Sequence, residues 1–108
     1  MSEVKIVATL TPLPEFIETI RDAALAMVSP THLEEGCLQY DLHESHAVPD
    51  VRNLENKGKV SFVFIERWKT EEDLKKHVAM SYHDDFLDIL SGKLEIINVQ
   101  RLTKLYKL

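Results

Sequence analysis

Apolar residues recur along this chain with two different periods. From Val4 to Leu10 (VKIVATL) they occupy both parities apart from Lys5 and Thr9, and the run is rich in β-branched residues, which predicts a strand covered on both faces. Pro12 and Pro14 suit the first turn of a helix, and Glu15 and Glu18 suit the positive end of its dipole. Phe16, Ile17, Ile20, Ala23, Ala24, Met27 and Val28 then form one stripe of period 3.6, so a helix is predicted whose stripe packs on a sheet. Pro30 interrupts it, a turn through His32 and Leu33 follows, and Gly36 supplies the backbone freedom needed to enter the next element.

Cys37 to Glu44 (CLQYDLHE) alternates, with Leu38, Tyr40 and Leu42 on one face and Gln39, Asp41 and His43 on the other, as a half-solvated edge strand should. Ser45 to Lys59 carries Pro49, Asp50, Asn53, Asn56 and Gly58, and reads as a long connection that would serve as a lid. Val60 to Ile65 (VSFVFI) is nearly continuous apolar sequence running into Glu66-Arg67-Trp68, which predicts a central strand. Thr70 with Asp73 resembles an N-cap pair that opens a second helix through Leu74 and Val78. A break is expected near Ser81, a second apolar face follows through Phe86, Leu87, Ile89 and Leu90, and Gly92 ends it before a long final strand from Leu94 to Leu108.

The order is βαββαβ, an α+β ferredoxin-like antiparallel sheet with its helices on one face. In that topology the first and third strands are central, and these are the two that read apolar on both faces. No segment is left over to cover the opposite face, so the economical cover is the sheet of a second copy: a homodimer with two sheets packed face to face.

Length and charge narrow the function. The 108 residues suit one domain spanning 1–108. A formal charge of −5 gives no basic excess for phosphates or anionic lipid, which disfavours nucleic-acid and membrane-surface binding. No stretch approaches the roughly 18 apolar residues of a spanning helix, and Met1-Ser2-Glu3-Val4-Lys5 has neither the basic nor the apolar region of a secretion signal, so a cytoplasmic protein is expected. The single Cys37 agrees, and reads as a small buried apolar residue.

The five histidines, His32, His43, His46, His77 and His83, include no pair with zinc-protease spacing, so no metal site is expected; His43 and His46 read as a solvated strand end. Three glycines form no phosphate loop, and there is no Gly-x-Ser-x-Gly elbow. The richest cluster is Glu66-Arg67-Trp68 followed by Leu74-x-x-His77. Glu66 and Trp68 share a strand face with Phe62 and Phe64, so a carboxylate lies in line with three aromatic residues. A structural reading fits the same residues: Trp68 in the core, Glu66 paired with Arg67 or Arg101, and His77 solvated.

The runs Glu35-Gly36-Cys37-Leu38-Gln39-Tyr40, Phe64-Ile65-Glu66-Arg67-Trp68 and Leu74-Lys75-Lys76-His77 together resemble the E-x-G-x-x-x-Y … F-x-E-x-W … L-x-x-H pattern of the antibiotic biosynthesis monooxygenase family, in the same order over residues 4 to 100. The resemblance implies a dimeric α+β barrel. It also implies one of several activities: cofactor-independent oxygenation of quinol-like or polyketide-type aromatics, haem degradation, or processing of a signalling furanone. Haem-degrading relatives have an Asn where this chain has the Ala8-Thr9 region, and a later helical His where it has Asp88 to Leu90. Ser81-Tyr82-His83 after His77 loosely resembles the furanone branch.

Under the oxygenase reading no cofactor is needed. His77 is the candidate base, Trp68 a pocket wall and N–H donor, and Glu66 an orienter of His77 or substrate. Tyr40, Phe64 and Phe86 would line the pocket, with Tyr82 and His83 at its mouth. A non-catalytic binding barrel and an oxygen-independent isomerase or cyclase are the alternatives.

Overall fold

A computed structural model describes residues 3–46 and 59–107. In order the elements are β1 (Val4–Pro12), α1 (Ile17–Ala26), α2 (Val28–His32), β2 (Cys37–Ser45), β3 (Ser61–Trp68), α3 (Glu71–Val78), α4 (Ser81–Leu90) and β4 (Leu94–Leu102). The four strands form one antiparallel sheet in the order β2-β3-β1-β4. The expected ferredoxin-like α+β topology is thus the observed one, with β1 and β3 central. The connection expected to act as a lid falls largely on residues 47–58, outside the described residues.

The helices cover one face. Val4, Ile6, Ala8 and Leu10 of β1 and Phe62, Phe64 and Trp68 of β3 bury that face against Ile20, Ala24 and Met27 below α1 and Phe86 and Leu90 of α4. On the opposite face Val7, Val63 and Arg67 are half-buried and Ile65 is exposed, so within one copy the central strands are covered on one side only.

The helical layer is shaped by its prolines. Pro12 ends β1 at a register shift instead of opening a helix, and Pro14 begins a short 3-10 turn, Pro14–Phe16, ahead of α1. Pro30 has no N–H to offer the Ala26 carbonyl, so α1 stops at Ala26 and the chain restarts as α2 with Pro30 inside it. The fully buried Thr31 bridges the break by donating its hydroxyl to the Met27 carbonyl at 2.6 Å.

Two strands depart from expectation. Cys37 pairs with Trp68 and Gln39 with Arg67, so Leu38 is the extra residue of a bulge. The bulge resets the parity: Cys37, Tyr40 and Leu42 pack against the core, whereas Leu38 is exposed. The final strand stops at Leu102, not Leu108, because its partner β1 begins at Val4 and leaves Thr103 onward with no strand alongside.

Gly36 locks the start of β2 to α3. Its carbonyl accepts the Lys69 N–H at 2.8 Å, and its φ of +87° is a left-handed conformation. A Cβ there would sit 2.1 Å from Asp73 Cγ. Asp73 is itself engaged: its N–H donates to the Thr70 hydroxyl oxygen at 3.1 Å, and the Thr70 hydroxyl reaches back to its carboxylate at 2.8 Å. Gly92, at φ +74°, has nothing within 4 Å of such a Cβ. Gly36→Ala therefore combines backbone strain with loss of the cap, and is expected to cost about 2–3 kcal/mol. Gly92→Ala should cost only the strain, about 1–2 kcal/mol. Denaturant unfolding of both variants checks the order, and equal losses would contradict it.

Candidate active site

β1, β3 and β4 form the floor, and α3 and α4 the roof, of a cavity of about 260 Å³. Its walls are mostly apolar: Ile6, Ala8 and Leu10 from β1, Phe64 from β3, Leu74 and Val78 from α3, Phe86, Leu87 and Leu90 from α4, and Ile97 and Val99 from β4. Four polar side chains converge on it, namely Tyr40, Glu66, His77 and His83. An apolar pocket with a few convergent titratable groups is the usual form of a small-molecule site.

His77 is 3% exposed. The i, i+3 spacing of Leu74 and His77 puts both on the face of α3 that meets the sheet. Its ring stacks on Trp68 with centroids 4.6 Å apart and meets Tyr40 at 5.5 Å and His83 at 5.0 Å. Its Nδ1 lies 2.9 Å from Glu34 Oε2. A carboxylate only accepts, so Nδ1 carries the hydrogen, and it is Nε2 that has the lone pair whenever the imidazole is neutral. Nε2 has no hydrogen-bond partner among the described residues, and His77 lines the cavity. Tyr82 donates its hydroxyl to the same Glu34 oxygen, and burial, together with that contact, pushes its pKa up to about 12.

Glu34 was not among the candidates drawn from the sequence. The signal was present: E-x-G-x-x-x-Y, counted back from Tyr40 and Gly36, places its glutamate at Glu34 and not at Glu35. Glu35 is exposed, whereas the Glu34 side chain is 6% exposed. Glu34 Oε1 and His83 Nδ1 are both buried without a hydrogen-bond partner, an excess of polar capacity beside His77 that a purely structural cluster rarely leaves. Burial, and the proximity of His77, lower the pKa of His83.

Glu66 is 7% exposed on the cavity wall. Its Oε1 accepts the Trp68 Nε1 hydrogen at 3.0 Å. Burial raises its pKa against the lowering effect of that bond. Neither expected cation reaches it: Arg67 pairs with Glu3 at 2.7 Å, and Arg101 pairs with Glu71 at 2.7 Å. Burial also raises the pKa of the Tyr40 hydroxyl and of the Cys37 thiol, so Cys37 remains protonated at neutral pH.

Six of the eight candidate residues thus come together around one cavity: Glu66, His77, Tyr40, Phe64, Phe86 and His83. Two do not line it. Trp68 is wholly buried behind the His77 ring with its N–H committed to Glu66, so it packs against the imidazole instead of walling the pocket. Tyr82 turns toward the segment before β2, where Glu34 holds it, instead of guarding the mouth. The carboxylate on His77 is Glu34, not Glu66, because the two reach His77 from different elements and Glu66 is tied to Trp68. Among the described residues no group of three or more His, Cys, Asp or Glu side chains is placed to hold a metal ion, and His46 pairs with Glu44 at 3.1 Å.

Glu66 makes stability depend on pH. A folded-state pKa above the unfolded value means that the native state binds more protons between the two, so stability falls as pH rises through that window and stays lower above it. Glu66→Gln removes the ionisation and keeps an oxygen for Trp68. The variant is expected to melt a few degrees above wild type at pH 8, by roughly 2–6 °C, with the difference vanishing toward pH 4. Thermal unfolding across that range checks it; a difference independent of pH would refute it.

Comparison with known proteins agrees with the geometry. Residues 3–88 match the family described as antibiotic biosynthesis monooxygenase. YcnE of Bacillus subtilis is 28% identical over 91 residues, covering 81% of this chain and 85% of that protein. Rv0793 of Mycobacterium tuberculosis is 41% identical over 44 residues, which is 41% of this chain and 44% of that protein. Both carry provisional monooxygenase names with no substrate attached. The solved structure of Rv0793 superposes with a TM-score of 0.79 at 26% identity, over 98% of both chains. That of PA3566 from Pseudomonas aeruginosa gives 0.77 at 25%, over 98% of this chain and 97% of that one. Fold, cavity and sequence match converge: the chain belongs to the antibiotic biosynthesis monooxygenase family.

Proposed function

We propose that this protein is a cofactor-independent monooxygenase that oxidises a small quinol-like or polyketide-type aromatic with dioxygen, acting as a cytoplasmic homodimer. The observation that carries this reading is His77, buried on the wall of an apolar cavity with Nδ1 held by Glu34 and Nε2 unpartnered among the described residues. That arrangement suits a general base for a hydroxyl bound in a dry pocket.

Size supports an aromatic of one or two rings. An apolar cavity of about 150 Å³ holds benzene. The 260 Å³ here accommodates somewhat more. Phe64, Phe86 and Tyr40 supply ring faces and edges, with Tyr40 and Phe64 centroids 5.0 Å apart and Phe64 and Phe86 6.1 Å apart.

In the proposed reaction His77 Nε2 takes the substrate's hydroxyl proton, and Glu34 stabilises the imidazolium so formed. The electron-rich phenolate reduces dioxygen, and a carbon–oxygen bond forms to give a ring peroxide. The imidazolium returns its proton to the distal oxygen. Loss of the ring C–H proton then drives O–O cleavage, leaving a ring carbonyl and water. One oxygen atom enters the product, the other becomes water, and all four electrons come from the substrate. Desolvation in the cavity strengthens each of these interactions.

The homodimer is supported by surface that one copy leaves bare. Ile96 and Leu102 of β4 are about half exposed, Leu105 is 94% exposed, and Ile65 lies on the uncovered sheet face. Such an apolar edge and face call for a partner. Light scattering at micromolar protein should give twice the 12.5 kDa chain mass; a monomer would remove this part of the reading.

Dioxygen uptake with a panel of quinols and hydroxylated naphthalenes tests the activity. Wild type is expected to exceed the uncatalysed rate, His77→Ala to fall by about 10²–10⁴-fold, and Glu34→Gln by about 10²-fold. Uptake equal to background for all compounds refutes the oxygenase, and turnover of the same compounds without oxygen assigns an isomerase or cyclase instead.

A further inference from the structure

We infer that the cavity selects uncharged ligands and rejects carboxylates and phosphates, with Glu66 as the residue that sets this selectivity. The inference rests on the reading of the cavity as the substrate site, and adds to it the charge of the molecule admitted. No Lys or Arg is among the residues that line the cavity. The nearest cation along β4 is Arg101, one position beyond Val99 on the same face, and both oxygens of Glu71 hold its guanidinium, at 2.9 and 2.7 Å. Arg67 is held by Glu3 and Arg21 by Glu18 and Glu44, so neither is available to an anionic head group.

Carboxylates, by contrast, surround the reacting end. Glu66 is on the wall with Oε1 fixed by Trp68, and no described residue donates to Oε2. Glu34 lies directly behind His77. Where Glu66 is ionised, a ligand that brought its own negative charge is repelled in a partly desolvated space, and where Glu66 is protonated that ligand still finds no cation on the lining. A neutral hydroxyl meets an acceptor instead.

The same arrangement explains how an anion could exist there during a reaction. When His77 takes the proton, the phenolate and the imidazolium form together, and the net charge of the site does not change. An anion generated inside the pocket is therefore matched by a cation, whereas an anion entering from solvent is not.

Calorimetric titration with 2-naphthol and 2-naphthoate, under nitrogen at neutral pH, tests this on two ligands of one ring system. Wild type is expected to bind 2-naphthol at least about tenfold more tightly than 2-naphthoate. Glu66→Gln, which retains an acceptor for Trp68, should close most of that gap by strengthening 2-naphthoate binding. Val78→Lys, which adds a cation at a half-exposed position of the lining, should do so independently and needs no change in the core. If 2-naphthoate binds wild type as tightly as 2-naphthol, or if Glu66→Gln does not narrow the gap, the selectivity inference is wrong while the assignment of the cavity stands. Binding of neither ligand below millimolar concentration would overturn both.

Discussion

The site depends on one hydrogen bond across the fold, from His77 Nδ1 to Glu34 Oε2. Its partners come from the turn after α2 and from α3, and they meet only because β2 and β3 pair between them. It directs the Nδ1 hydrogen of a buried imidazole to Glu34 and leaves Nε2 without a partner among the described residues. The surrounding contacts hold it in place. Trp68 stacks under the ring, Tyr82 adds a second donor to the same Glu34 oxygen, and Gly36 permits the close approach of the β2 entry to α3. A buried carboxylate between two donors is stable only while both remain, so these residues act as a unit.

Glu66 plays a different part. It is a second carboxyl buried near the same imidazole, satisfied on one oxygen by Trp68 and turned to the cavity, with its ionised form disfavoured by burial. Holding it there reduces stability, and proteins keep such groups mainly where they act. Arg67 and Arg101 are held by the surface carboxylates of Glu3 and Glu71, and no Lys or Arg is among the described residues that line the cavity.

The ferredoxin-like architecture was legible because it depends on short-range periodicity. Continuous apolar runs marked β1 and β3 as central, the 3.6-residue stripe marked α1, and Thr70 with Asp73 marked the start of α3. Where the expectation failed, the deciding contact was long-range. The bulge at Leu38 exists in the pairing of β2 with β3, so strict alternation misplaced Leu38. The end of β4 was set by where β1 begins, a fact held about a hundred residues away in the chain.

At the site the sequence alone determined most of the cast, without Glu34: a histidine on an amphipathic helix, aromatic residues and a glutamate on one strand face, and a family pattern joining them. Only the tertiary structure decided the roles. It put Glu34 and not Glu66 on His77, drew Trp68 behind the imidazole, turned Tyr82 inward, and left Glu66 facing the cavity. Residue type and spacing along an element show which side chains share a face, since local backbone geometry dictates that. Which carboxylate meets which nitrogen depends on how elements distant in sequence pack together, and that is settled by the burial and pairing of the whole chain.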